Sequence, residues 1–380
     1  MEFGLTNTQQ MIQSQIRDYV TENIVGENLG WDDVDFPHEI YDDLIDMGVL
    51  GLHLPEEAGG EGFDPVTSGL VYEELGRGDV GLTMLALSEN LATKIVWEHG
   101  DDHHKEVAKR VCAGGARICC TLRAPDQGSN GQNIAATPEP TDDGFVLSGE
   151  KTAITGATLA DHGLILARET GGADDIRAFL VDLDREGIDI QPYAGLGCEV
   201  SGWGQIFLDD VEIPADARLS EENAFKMAMR TFDKSRAWIA LYALGAAQQS
   251  LDETATYLTE REAMGKPLAS YQGPQFEHAE WQTRVDAARL KAYQTLWKAD
   301  EGKPHTKDAA MTKWYAPEVA VDTVRDCLVL HGHYGYSDDF GIGKRLQDVL
   351  GQQIADGAPH VQKLIVARET FGREYLSYGR

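Results

Sequence analysis

Residues 330–368 read LHGHYGYSDDFGIGKRLQDVLGQQIADGAPHVQKLIVAR. A glycine-punctuated turn at Gly332 and Gly335 opens the stretch, and a short amphipathic segment follows, ending near Gln353. Val361, Leu364 and Ile365 then recur at helical spacing. Between the two helical segments lies Ile354-Ala355-Asp356-Gly357-Ala358-Pro359, a loop of small residues holding one acid. Ala and Gly beside Asp356 leave room for something bulky against the carboxylate. An acid at a helix start commonly caps it by accepting hydrogen bonds from the first free N–H groups. Two readings of Asp356 therefore stand together at this point: a helix cap, or a reactive acid facing a large group.

Working outward, the pattern before this stretch is helical back to Ala224, over 224–258, 273–300 and 305–331, and a last helix covers 359–375. The spacing predicts a C-terminal four-helix bundle over 224–380. The first 115 residues are also helical. Met11, Ile16, Tyr19 and Val20 mark a helix over 7–25, Phe36-Pro37 precedes another at 38–47, and further helices fall at 65–77, 80–99 and 103–113. Gly51 to Gly60 is a turn-rich linker.

Between the helical regions, residues 116–223 change period. Ile118–Leu122, Gly144–Gly149, His162–Ala167, Ala178–Leu183 and Gly204–Glu212 are short β-branched or alternating runs separated by Gly, Pro, Asp and Asn. They predict a small antiparallel sheet domain, a barrel or sandwich. The fold class expected is α+β: an N-terminal helical domain (1–115), a central antiparallel β-barrel domain (116–223) and the helix bundle.

Composition narrows the function. The chain has 380 residues, 42% of them hydrophobic and 25% charged, as in an ordinary globular protein. No apolar run is long enough to span a membrane, and the N-terminus lacks the pattern of a secretory signal. Cys112, Cys119, Cys120, Cys198 and Cys327 form no CxxC pair and read as reduced thiols in a cytoplasmic protein. The formal net charge of −30 argues against nucleic acid or an anionic membrane as partner, since both repel a polyanion. A lysine-poor acidic surface suits either a salty cytoplasm, where screening removes self-repulsion, or an acidic but ordinary bacterial protein.

Several blocks carry a family resemblance. Leu54-Pro55-Glu56-Glu57-Ala58-Gly59-Gly60 and Tyr72-Glu73-Glu74-Leu75-Gly76 lie in the first region. Leu122-Arg123-Ala124-Pro125-Asp126-Gln127-Gly128-Ser129-Asn130 and Gly149-Glu150-Lys151-Thr152-Ala153-Ile154-Thr155 lie in the second. Phe232-Asp233-Lys234-Ser235-Arg236, then Arg261 to Leu268 with Gln272, then the 332–362 block lie in the third. In this order and spacing the chain resembles an acyl-CoA dehydrogenase along almost its full length.

That resemblance implies an FAD enzyme taking an α proton and a β hydride from a CoA thioester and passing electrons to an electron-transfer flavoprotein. The family's base is usually a Glu in the closing block, and the matching position here is Asp356. Aspartate is one methylene shorter, so the carboxylate retreats by roughly 1.3 to 1.5 Å, about one C–C bond. The preceding residue, usually aromatic in the family, is Ala355, and both changes enlarge the pocket. Position 235, which carries the base in other branches, is Ser.

The closest resemblance is to alicyclic acyl-CoA dehydrogenases, which act on cyclohexanecarboxyl-CoA or cyclohex-1-ene-1-carboxyl-CoA in alicyclic acid degradation. It rests on Gln353 to Pro359 and on His305 to Trp314. The diene-forming members place their base near residue 90, so Glu89 is the alternative to Asp356, against the plainer reading of a solvated helix residue. A branched- or short-chain dehydrogenase, an oxidase or a flavin-free binding protein on the same fold remain as other classes.

The resemblance assigns Leu122, Arg123, Gly128, Ser129, Thr155, Ala358, His360, Gly332 and Gly335 to the cofactor. Arg261 and Gln272 would reach the FAD of a neighbouring subunit, implying a homotetramer, a dimer of dimers. Ser129, Asp233, Arg236, Ala355 and Gly357 are assigned to the substrate; Asp233 and Arg236 also have the spacing of an intrahelical ion pair. Arg123, Ala153, Val329 and His333 depart from the family pattern, and a cation at 123 would favour a reduced anionic ring. His331-x-His333 lacks a third residue at metal-ligand spacing, and Asp101 to His104 reads as a solvated helix cap.

Overall fold

The computed structural model describes residues 4–33, 36–126, 128–131, 133–169 and 175–376, so Gln127 of the 122–130 block lies outside the described residues. Among the described residues the first region holds five α-helices: α1 (Asn7–Asn23), α2 (His38–Asp46), α3 (Pro65–Gly78), α4 (Val80–His99) and α5 (Asp102–Cys112). Their starts are written locally. Thr6 and Gln9 form a capping box on α1; Asp64 and Asp79 accept from Thr67 N and Leu82 N to cap α3 and α4. Asp101 caps α5 through its side chain, as its place before the helix suggested, but His104 is buried rather than solvated.

Among the described residues seven strands follow: β1 (Ile118–Thr121), β2 (Thr137–Pro140), β3 (Gly144–Ile154), β4 (His162–Arg168), β5 (Ile176–Asp182), β6 (Ile188–Pro192) and β7 (Gly204–Pro214). They divide between two sheets, ordered β1-β4-β5 and β2-β3-β7-β6, whose inner faces share a core that includes Leu147, Ile165, Phe179, Ile206 and Val211. One expectation is corrected here. β1 runs parallel to β4, with Ile118 opposite His162, so the domain is not antiparallel throughout. The chain leaves β1, builds the β2–β3 hairpin in the other sheet and returns, which is the crossover a parallel pair requires. β2 and β6, which the strand pattern missed, are edge strands containing proline, where a missing N–H does no damage to the ladder.

The rest is α6 (Ala224–Glu260), the two-residue strands β8 (Glu262–Ala263) and β9 (Lys266–Pro267), α7 (Gln272–Asp300), α8 (Thr306–His331), α9 (Ile342–Ile354) and α10 (Pro359–Phe371). The 37-residue α6 is the spine. It packs on α7 and α8 and also on α3, so the two helical regions share one core containing Leu75, Leu85, Trp238, Leu241, Leu244, Val285, Leu296 and Val324. The α3–α6 crossing needs small residues: a Cβ at Gly76 would stand 2.2 Å from Tyr242 O, and one at Gly245 2.0 Å from Glu73 O. Among the described residues no helix is long and apolar enough to cross a membrane.

Candidate active site

A cleft of about 910 Å³ opens where the β domain meets the helices. Five pieces of chain wall it. One face of α4 brings Leu87, Ser88 and Leu91; the N-terminal half of α6 brings Phe232, Asp233, Arg236 and Ile239. The turn after β1 brings Leu122, Arg123, Gly128 and Ser129, and the end of β3 brings Ala153, Ile154 and Thr155. The loop between α9 and α10 closes it with Ala355, Asp356, Gly357 and Ala358.

The end of β3 is aimed by a register shift against β7 between Lys151 and Ile154. Within it Ala153 takes a left-handed backbone with φ 54°. Such bulges bend a strand and redirect the side chains beyond them, here Thr155. Thr152 N donates to Arg123 O at 3.2 Å and so ties the turn to the strand. Behind them Lys151 is fully buried and donates to Leu166 O at 2.5 Å, and burial pushes its ammonium down to about 7.

Asp356 also has a left-handed backbone, φ 49°, a region that Asp tolerates better than most residues. Its side chain makes no cap on α10, whose N-cap is Ala358 with no side-chain bond. Instead Ser235 Oγ donates to Asp356 Oδ2 at 2.9 Å. The buried Gln362 holds the loop backbone, its Nε2 donating to Asp356 O at 3.1 Å and Gly357 O at 3.2 Å. The acid is therefore fixed at the cleft wall with one hydroxyl on it. Residues 235 and 362 lie too far from 356 in sequence, or on the wrong side of a turn, for spacing to have revealed these bonds.

Glu89 has a different fate, and its reading as a solvated helix residue needs correction. It is 1% exposed, so it is not a solvated helix residue. Nor does it line the cleft: it turns off the α4 face that carries Leu87, Ser88 and Leu91. Arg117 Nε donates to its Oε1 at 3.0 Å, and the Tyr41 hydroxyl donates to Oε2. The Arg117 guanidinium lies over the Tyr41 and Phe36 rings at 4.3 and 4.8 Å. Burial pushes the Glu89 carboxyl up, while Arg117 and Tyr41 pull it back.

Asp233 and Arg236 form the intrahelical pair at 2.7 Å and both face the cleft; Thr306 Oγ1 adds a 2.5 Å bond to Asp233. Arg123 is half-buried in the cleft, and among the described residues it has no carboxylate partner. His360 is exposed and lies outside the cleft lining.

Arg261, Gln272, Gly332 and Gly335 also lie apart, at the far end of the bundle. Arg261 ends α6 with its guanidinium 5.5 Å from the Tyr334 ring centre, and Gln272 begins α7. Gly332 ends α8 at φ 64°, and a Cβ at Gly335 would stand 2.4 Å from Leu328 O. His331 is buried, stacked on Tyr257, with Nδ1 2.8 Å from Cys327 O. His333 packs on Tyr334.

Three family models cover most of the chain: the acyl-CoA dehydrogenase N-terminal domain matches residues 6–115, the middle domain 119–211 and the C-terminal domain 224–371. A probable acyl-CoA dehydrogenase of Bacillus subtilis, YngJ, is 31% identical over 97% of this chain and 99% of its own. The caffeyl-CoA reductase–Etf complex subunit CarC of Acetobacterium woodii is 32% identical over 94% of this chain and 97% of its own. The solved glutaryl-CoA dehydrogenase of Mycobacterium smegmatis in complex with FADH2 superposes with a TM-score of 0.93 at 26% identity, covering 97% of this chain and 96% of that one. The cleft's donor set suits a flavin ring: the Thr155 and Ser129 hydroxyls, the Arg123 guanidinium, and open space at Gly128, where a Cβ would meet nothing within 4 Å.

Proposed function

The chain belongs to the acyl-CoA dehydrogenase family, flavin-dependent oxidoreductases with FAD as cofactor, and from that premise we propose that it desaturates a cyclic acyl-CoA. The reaction is cyclohexanecarboxyl-CoA to cyclohex-1-ene-1-carboxyl-CoA, with electrons passing to an electron-transfer flavoprotein. Bound FAD supplies the acceptor for the β hydride. Asp356 takes the α proton, and the observation that carries this role is its carboxylate at the cleft wall with Ser235 donating to it at 2.9 Å. Ser235 holds that oxygen and Gln362 holds the loop backbone behind it, which is what a general base needs before its basicity matters.

Ala355 and the short Asp356 side chain leave the volume a ring at the α carbon would occupy. Asp233 and Arg236, at the mouth of the same wall, orient the pantetheine arm; Leu122, Arg123, Gly128, Ser129, Thr155 and Ala358 line the flavin side. Arg261, Gln272, Gly332 and Gly335 serve the FAD of a neighbouring subunit in a homotetramer, which accounts for their distance from this chain's own cleft. Five free thiols suit a cytoplasmic setting.

Anaerobic titration of the yellow protein tests this. Cyclohexanecarboxyl-CoA should bleach the flavin faster than isobutyryl-CoA or butyryl-CoA. Preference for the open-chain thioesters refutes the ring pocket. Bleaching by cyclohex-1-ene-1-carboxyl-CoA alone assigns the diene-forming reaction, and rapid reoxidation by air assigns an oxidase.

A further inference from the structure

Lys313 lies in the middle of α8 with no solvent exposure. Its ammonium donates to Gln352 O at 2.7 Å, in the last turn of α9. The carbonyls of a last turn lack helical partners and carry the negative end of the helix dipole, so a cation there is favourable. Gln352 is itself fixed from two sides: Tyr242 Oη donates to its Oε1 at 2.6 Å, and its Nε2 donates to Asp348 O at 3.1 Å. Two residues later α9 ends, and the loop that carries Asp356 begins.

The charges around Lys313 belong to the same cleft. Burial pushes its ammonium down to about 8, and Asp356 is the carboxylate that pushes it back up. Arg236 of α6 and Arg123 of the turn after β1 act in the lowering direction. On α10, Lys363 lies over the neighbouring Trp314 ring; on α9, Asp348 is tied to Lys344; on α7, the Thr295 hydroxyl meets Thr312, while Lys291 and Lys298 pair with Asp308. Lys151 is the contrasting case: equally buried on one carbonyl, but with no carboxylate among the causes of its shift.

We infer that Lys313 is a positioning residue for proton abstraction: its ammonium clamps the end of α9, sets the height of the Asp356 loop and balances the charge of that carboxylate. This rests on the reading of Asp356 as base. A neutral Lys313 loses the charge–carbonyl contact and its hold on the loop, so the bleaching rate falls as pH rises through about 8.

Two readouts on the holoprotein test it: hydrogen exchange of the 353–358 amides without substrate, and the pH profile of flavin bleaching by cyclohexanecarboxyl-CoA. Lys313→Met is expected to speed loop exchange, slow bleaching by about tenfold or more, and abolish the limb near pH 8. Lys313→Arg is expected to restore most of the rate, with the limb moved to higher pH. Wild-type exchange and an unchanged limb in Lys313→Met overturn the proposal. If that variant does not fold, an unmoved limb in Lys313→Arg overturns it equally. Full activity in Asp356→Asn, or no bleaching by the wild type, defeats the functional reading instead, and loop exchange still judges the clamp.

Discussion

Two acids approach the same cleft from different elements, and their surroundings separate them. Asp356 lies in a left-handed loop among small residues, half-buried, with one hydroxyl at 2.9 Å. Glu89 lies on α4 off the cleft lining, 1% exposed, with a guanidinium at 3.0 Å and a phenol on its oxygens. A buried carboxylate paired with arginine is stabilised in place, because taking a proton would leave the cation unpaired. A carboxylate with a single neutral donor keeps lone pairs free for a substrate proton. Burial beside a cleft does not make an acid reactive; the identity of its partners does.

The largest effect should come from removing the free acid. Asp356→Ala is expected to slow anaerobic flavin bleaching by about 10²- to 10⁴-fold, the usual worth of a positioned general base. The melting temperature should change little, since the side chain holds no core contact. Stopped-flow bleaching and thermal denaturation check the two halves. A rate loss found in Glu89→Gln rather than in Asp356→Ala would invert the comparison.

Next comes the partner of the closed acid. Arg117→Met leaves Glu89 buried and uncompensated, and should cost roughly 3–5 kcal/mol of stability. The sign of its pH dependence is fixed. Burial already holds the Glu89 carboxyl above its ordinary value, and losing Arg117 removes the strongest opposing pull. A raised folded-state carboxyl contributes stability below its unfolded value and loses it as pH rises. Urea midpoints should therefore show a smaller deficit at pH 5 than at pH 8. An equal deficit at both would mean that packing of the guanidinium on Phe36 and Tyr41, not charge, is what the variant loses.

The sequence made much of this arrangement readable, and its misses have physical causes. Helix ends were legible because their caps are local: Thr6, Asp64, Asp79 and Asp101 each act within three residues. The Asp356 loop was legible because small residues interrupt a helical period there. What failed depended on contacts between distant segments. Glu89 looked solvated because nothing near it in sequence predicts Arg117 or Tyr41 as partners. β2 and β6 were missed because Pro138, Pro140 and Pro192 break the strand pattern, though an edge tolerates them. The parallel β1–β4 pair is a matter of chain path, which no local alternation encodes. Lys313 reads as one polar residue in a long helix until α9 is laid across it.

The two smallest predictions exchange the hydroxyl donors of the two acids. Ser235→Ala removes the hydroxyl that donates to Asp356 Oδ2. A hydrogen bond to a charged group contributes about 1.5 kcal/mol at the low end, and 1.36 kcal/mol is tenfold in rate, so bleaching should slow by about tenfold. Stability should change little. Tyr41→Phe removes the phenol from Glu89 but leaves the Arg117 bond and the ring packing. It should cost about 1.5 kcal/mol in urea denaturation and leave the bleaching rate of the folded protein unchanged. The pair crosses over: one variant is expected to lose rate and keep stability, the other to lose stability and keep rate. If Tyr41→Phe slows bleaching as much as Ser235→Ala does, the two acids are coupled through α4, and the division between a closed structural acid and an open reactive one does not hold.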